Sequence, residues 1–240
     1  MIGLGTLLNC ALIIAGGLVG LFFKNFFSSS MQDSLKKACG VSVLFIAIAS
    51  AMEGMLKISG DSLTSGKSML LVLCIIIGTI IGELIDIDKK FDNFAIWLRH
   101  KTGNDNDTGF IDAFVTASFT VCIGAMAIVG AMEDGLKGNI SVLAVKSILD
   151  LITIAVLTSS MGKGAIYSAI PVLVIQGLMT IFARVLTPFM TELAINYISL
   201  VGSVLIFCVG INLIWKNVFK VANMLPGLII AVIFAGLKLF

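Results

Sequence analysis

The chain has 240 residues, of which 58% are hydrophobic and 12% charged, with a formal net charge of +2. Soluble domains carry about a quarter charged residues, so this composition excludes a water-soluble globular fold and makes lipid the solvent. The net charge argues neither for nor against a partner, but no Lys/Arg-rich patch of the kind that grips nucleic acid is present.

Apolar runs recur between clusters of charge, each about twenty residues long, the length that crosses a hydrocarbon core of about 30 Å. They predict an all-α polytopic bundle of about eight transmembrane helices. The spans cover residues 2–23, 38–56, 68–87, 113–132, 140–159, 164–186, 193–214 and 221–240. No basic residue precedes Lys24 and no small-x-small cleavage site follows, so the first run reads as a retained helix rather than a signal peptide. Connections are short, which makes residues 1–240 a single membrane domain.

One connection differs. Between Asp86 and Lys101, Phe91, Phe94, Ala95 and Leu98 fall on one helical face with Trp97 beside them. Asp86 and Asp88 open the segment, and Arg99, His100 and Lys101 close it, which suits the helix dipole. The pattern predicts an interfacial helix lying on the membrane, followed by a polar turn up to residue 108; the alternative is a solvated linker. Loops after spans one, three, five and seven carry Lys24, Lys36, Lys37, Lys89, Lys90, Arg99, Lys101, Lys163, Lys216 and Lys220, against Lys57, Lys67, Lys137, Arg184 and Lys238 opposite. The positive-inside bias places the interfacial helix in the cytoplasm and both termini outside, in a bacterial plasma membrane.

Two internal echoes organise the chain. Gly17-Leu18-x-x-Leu21-Phe22-x-Lys24 recurs as Gly177-Leu178-x-x-Ile181-Phe182-x-Arg184, and the stretch from Gly40 to Phe45 resembles that from Gly202 to Phe207. Helices one to three (1–87) then repeat as helices six to eight (162–240), flanking the linker 86–108 and the central helices 109–160. Five spans separate the two starts, so the repeats are inverted, a layout common in secondary transporters; the alternative is chance similarity between apolar runs. The second echo aligns Ala51-Met52-Glu53-Gly54-Met55-Leu56-Lys57 with Ala131-Met132-Glu133-Asp134-Gly135-Leu136-Lys137, and Asn212 precedes Lys216 by the same four residues. That spacing puts acceptor and ammonium on one helix face.

The candidate chemistry lies in polar groups inside apolar spans. Lys146 and Asp150 sit four residues apart near the middle of the fifth span. Each would cost about 2.5–3.5 kcal/mol alone at that depth, so the pair either fixes helix packing or lines a solute path. Ser168, Pro171 and Gln176 occupy the sixth span, where proline predicts a kink and exposed backbone polar groups. Asn9 is embedded in the first span, suited to an interhelical hydrogen bond. Glu53, Glu133 and Asn212 join the candidate set through the second echo. Gly16/Gly20 and Gly78/Gly82 predict close helix contacts.

Cys10, Cys39, Cys74, Cys122 and Cys208 lie within apolar runs without C-x-x-C spacing, so they read as packing thiols rather than a disulfide framework or zinc site. His100 has no ligand partner at metal spacing, and the H-E-x-x-H, G-x-S-x-G and P-loop patterns are missing. No catalytic residue, metal or cofactor is expected. Residues contributed by distant helices could still assemble a membrane hydrolase or lipid-modifying site.

Several polar landmarks together resemble the uncharacterised bacterial membrane family that contains YdfK and YqgA. They are Gly5-Thr6-x-x-Asn9, Phe114-Val-Thr-Ala-Ser118, Gly124-Ala-Met-Ala-Ile-Val-Gly130, Glu133-Asp-Gly135, Lys146-Ser-Ile-Leu-Asp150, Ser168-Ala169, Gln176-Gly177, Gly210-Ile-Asn212 and Asn223-Met-Leu-Pro226. The resemblance runs the length of the chain and implies a transporter-like layout without assigning a substrate or a site residue. The leading expectation is a permease for a small solute or ion, bound near mid-membrane and built as a homodimer. The alternative is a non-transporting scaffold or sensor acting through the interfacial helix.

Overall fold

The computed structural model describes residues 2–24, 26–59, 62–215 and 218–238. Lys216, one of the cations in the loop count, and the last two residues of the eighth predicted span lie outside them. The helices are α1 (Leu4–Lys24), α2 (Ser29–Met55), α3 (Ser68–Ile85), α4 (Ile87–Lys101), α5 (Phe110–Cys122) and α6 (Ala125–Lys137). They continue as α7 (Ser141–Met161), a 3-10 turn (Lys163–Ser168), α8 (Ala169–Ile181), α9 (Ala183–Leu186), α10 (Glu192–Ile214), α11 (Val221–Met224) and α12 (Pro226–Leu237). A short antiparallel hairpin, β1 (Leu56–Ser59) with β2 (Ser62–Ser65), joins α2 to α3.

Among the described residues, six helical stretches are long and apolar enough to cross a membrane: α1, α2, α3, α7, the 3-10 turn with α8, and α10. The expected fourth span is interrupted. α5 and α6 meet at 62° across Ile123 and Gly124, and counting them as one bent crossing gives seven. The break has a local cause, because Gly124 takes φ 155° and ψ 148°, a backbone region closed to side chains. The eighth expected span is a shorter apolar stretch, split into α11 and α12 where Pro226 opens the last helix.

Small residues set the packing. α1 runs along α7 and also touches α8, α2 runs along α10, and α3 lies against α11 and α12. A Cβ on Gly16 or Gly20 would run into the Leu151 or Ala155 carbonyl of α7. One on Gly78 or Gly82 would meet Gly227 or Asn223. Both glycine pairs therefore bring backbones together, as their spacing predicts. All five cysteines are free thiols, with Cys10, Cys74 and Cys208 buried.

α4 is an amphipathic helix whose apolar side chains divide between two environments. Ala95 and Leu98 are buried against α5, and Phe91 stacks on Phe114. Phe94 and Trp97 stack on each other and stay exposed.

Candidate functional site

The site begins with two residues of α7. Lys146 and Asp150 are one helical turn apart, so their side chains meet on one face. The Lys146 Nζ donates to Asp150 Oδ1 at 2.8 Å and to Oδ2 at 2.6 Å. The two side chains are only 10% and 8% exposed. An ion pair this secluded repays its desolvation only with close geometry and further polar support.

That support comes from α1 on one side. The Asn9 amide stands beside the Asp150 carboxylate and donates from Nδ2 to Gln176 Oε1 of α8 at 3.3 Å. Asn9 Oδ1 and Gln176 Nε2 are buried without a protein partner. One turn along, the Thr6 and Thr180 hydroxyls are 3.4 Å apart, and Thr180 donates to the Ala131 carbonyl. The α1–α8 seam therefore carries a row of small polar groups behind the ion pair.

On the other side, Lys146 and Asp150 face a cavity of about 630 Å³. Its walls are α2 (Ala47, Ser50, Glu53), α10 (Asn196, Ser199, Ile206), Leu149 of α7 and the break at Ile123–Gly124. Glu53 and Asn196 are exposed. Irregular backbone at membrane depth is tolerated where it lines a cavity, which the Gly124 break does.

Three of the eight sequence candidates, Lys146, Asp150 and Glu53, thus share one cavity, and Asn9 and Gln176 stand directly behind it. The other three hold structure elsewhere. Ser168 Oγ donates to the Ala165 carbonyl inside the 3-10 turn. Asn212 closes the turn after α10, its Oδ1 accepting from the Val218 and Phe219 amides and its Nδ2 donating to the Phe219 carbonyl. Glu133 accepts from Asn139 Nδ2 at 3.1 Å. The four-residue echo also divides: α2 ends at Met55, so Lys57 belongs to β1 and shares no helix face with Glu53. Pro171 falls in the first turn of α8, where a missing N–H costs little, so the expected mid-helix kink becomes a 3-10 to α transition.

Several further polar positions stand out only in the folded chain. Ser50 precedes Glu53 by three residues, and Asn196 precedes Ser199 by three, spacings that put each pair on one face. Asp134, fully buried, accepts from the Gly3 amide at 3.1 Å and from the Gly5 amide at 3.0 Å. It thereby caps the start of α1 with a carboxylate, as the helix dipole favours.

A second polar cluster lies where α4 meets the bundle. Asp88, Asp92 and Asp112 line a cavity of about 290 Å³ with Lys36, Lys220 and Asn212. Partial burial raises the Asp88 carboxyl above its ordinary value, with Lys220 opposing and Asp86 and Glu83 adding to the rise. Burial raises Asp92 likewise, helped by Asp88 and Asp112. Among the described residues no three His, Cys, Asp or Glu side chains are placed to hold a metal ion.

Comparison with known proteins agrees with the polar landmarks. The chain is 32% identical to the uncharacterized membrane protein YdfK of Bacillus subtilis (strain 168) over 226 residues, covering 94% of this chain and 93% of that protein. It is 26% identical to the uncharacterized protein YqgA of Escherichia coli (strain K12) over 232 residues, covering 95% and 94%. No solved structure matches. The family model described as "Protein of unknown function (DUF554)" matches residues 4–236, so this helical membrane chain belongs to that family.

Proposed function

We propose that the protein is a permease for a small solute or ion, with its binding site at Lys146 and Asp150. The observation that carries this reading is the 630 Å³ cavity onto which the buried pair opens. A pair serving packing alone would be walled in by neighbouring helices. Here Glu53, Ser50, Asn196 and Ser199 offer further polar groups along the approach. The solute exchanges contacts with an ammonium and a carboxylate that already neutralise each other, so neither charge is stranded when the site empties.

The positive-inside count puts the α4 end in the cytoplasm and the Glu53 end of the cavity outside, in a bacterial plasma membrane. α4 then lies along the inner surface, with Phe94 and Trp97 reaching the interface. An inverted repeat is supported by contact between the matched helices: α1 with α8, α2 with α10, α3 with α12. The matched glycines differ in surroundings, however, since Gly17 abuts Ile166 while Gly177 faces open space. A homodimer is supported by α2, which buries only Gly40, Val43 and Ala47 in this chain. The scaffold reading is favoured by one feature, the exposed Phe94–Trp97 stack, and predicts a stoichiometric partner that is lost when residues 86–101 are deleted.

Flux in proteoliposomes tests the permease. Wild-type protein is expected to move at least one member of a panel of inorganic ions, amines, amino acids and carboxylates, and Asp150→Asn is expected to lower that rate. No movement of any solute, or an unchanged rate in folded Asp150→Asn protein, overturns the reading.

A further inference from the structure

The 630 Å³ cavity and the Asp88/Asp92/Asp112 cavity approach each other from opposite ends of the same helices. Phe119 of α5 and Val209 of α10 belong to the acidic one. Ile123, just past α5, and Ile206 of α10 belong to the other. Ile123 lies one turn beyond Phe119, and Ile206 one turn before Val209 on a helix that runs the other way. The two cavities are therefore separated along the bundle by about one helical turn, roughly 5 Å. What separates them is apolar: Phe119, Ile123 and Val209 are buried and pack in one cluster with Ile206 against them.

Two of these septum side chains have space behind them. Phe119 and Ile123 also line a third cavity of about 430 Å³, bounded by Gly124, Pro171, Ile175 and Met179. Protein interiors pack too tightly for a phenyl ring to swing aside unless a void receives it. Here the void adjoins the α5 side of the septum and the glycine break that could turn it. Charge in the two polar cavities leans one way. Glu53 and Asp150 stand against Lys146, and Asp88, Asp92 and Asp112 stand against Lys36 and Lys220. Carboxylates in excess at both approaches to a low-dielectric constriction favour cations.

We infer that the transport route joins these two cavities through the Phe119–Ile123–Ile206–Val209 septum, that Phe119 and Ile123 form its gate by withdrawing into the apolar void, and that the solute is a cation. This rests on the permease reading and adds the route, the gate and the charge class.

Planar-bilayer recording of Phe119→Ala/Ile206→Ala in potassium chloride gradients tests it. Truncating both sides of the septum is expected to raise conductance at least about tenfold over wild type, with potassium preferred over chloride and the preference reduced by Asp92→Asn. A folded variant without added conductance, or one that prefers chloride, overturns the inference. A second measurement covers the case in which the double variant misfolds. In protein stripped of its five cysteines, Ser199→Cys and Thr116→Cys are expected to react with a membrane-impermeant thiol reagent from opposite faces. Reaction of both from one face, or failure of either to react, overturns it. Wild-type protein that moves no solute while the conductance and labelling results hold would remove the permease and leave the two-sided septum standing.

Discussion

The two flanks of α7 follow opposite rules. Toward α1 the contact is closed: Gly16 and Gly20 let the α1 and α7 backbones touch, while α1 is held from behind by Ile166 of the 3-10 turn against Gly17 and by Gln176 of α8, to which Asn9 hydrogen-bonds. Toward α2 and α10 the same helix faces open volume, edged by Ser50, Glu53, Asn196 and Ser199. Lys146 and Asp150 stand on the boundary. The contrast teaches that a charge in a membrane helix is read from its two sides separately: one side supplies the polar scaffold that fixes it, the other the space that uses it.

The largest expected effect comes from breaking the closed flank. Gly16→Leu drives a side chain into the Leu151 carbonyl. Overpacking costs about 1–3 kcal/mol where neighbours can shift and more where the obstacle is backbone, so this variant is expected to lose its monodisperse peak in size-exclusion chromatography. Gly177→Leu, with nothing close to its Cβ position, should leave the peak unchanged, and equal behaviour of the two would erase the contrast.

Next comes the boundary pair. Asp150→Leu alone strands the Lys146 ammonium and is expected to lower stability by about 3–5 kcal/mol. Lys146→Met/Asp150→Leu should recover most of that in a thermal unfolding assay, because replacing both members of a buried pair by apolar residues is often neutral. Flux should not recover with it. Asp134→Ala sits on the closed side too, and loss of its bonds to the Gly3 and Gly5 amides is expected to cost about 1–3 kcal/mol.

A smaller effect follows from the carboxylates beside α4. Folding raises Asp88 and Asp92 above the ordinary aspartate value of 3.8. The folded state therefore holds protons that the unfolded chain releases, and stability falls as pH rises from that value through the raised ones. Asp92→Asn should flatten that fall in melting temperature measured from pH 3.5 to 7; an unchanged slope would remove Asp92 from the account. The smallest effect on stability belongs to Glu53→Gln, an exposed position, expected to leave melting unchanged while slowing flux.

The closed flank was legible in the sequence because its determinants are local. Glycines at four-residue spacing and an amide in an apolar run announce close contact wherever their partners lie, and a Lys and an Asp one turn apart announce a pair. The open flank was less legible because volume is a property of several helices at once. Ser50 and Asn196 look like ordinary polar residues near span ends until α2 and α10 are set against α7. Gly124 reads as one more glycine of a membrane helix, and only its backbone angles mark a break. Pro171 suggested a kink because the 3-10 turn before it, which moves the proline into the first turn of α8, has no distinct composition. The α2–α3 hairpin was hidden for the same reason, being short and polar.

The most direct test of the central claim measures flux side by side for wild type, Asp150→Asn and Lys146→Met/Asp150→Leu in the same liposomes. Transport by the wild type is expected, with at least about a tenfold loss in both variants although the double variant folds. Wild-type rates in the folded double variant would mean that the pair only packs, and would contradict the assignment of the cavity as a solute site.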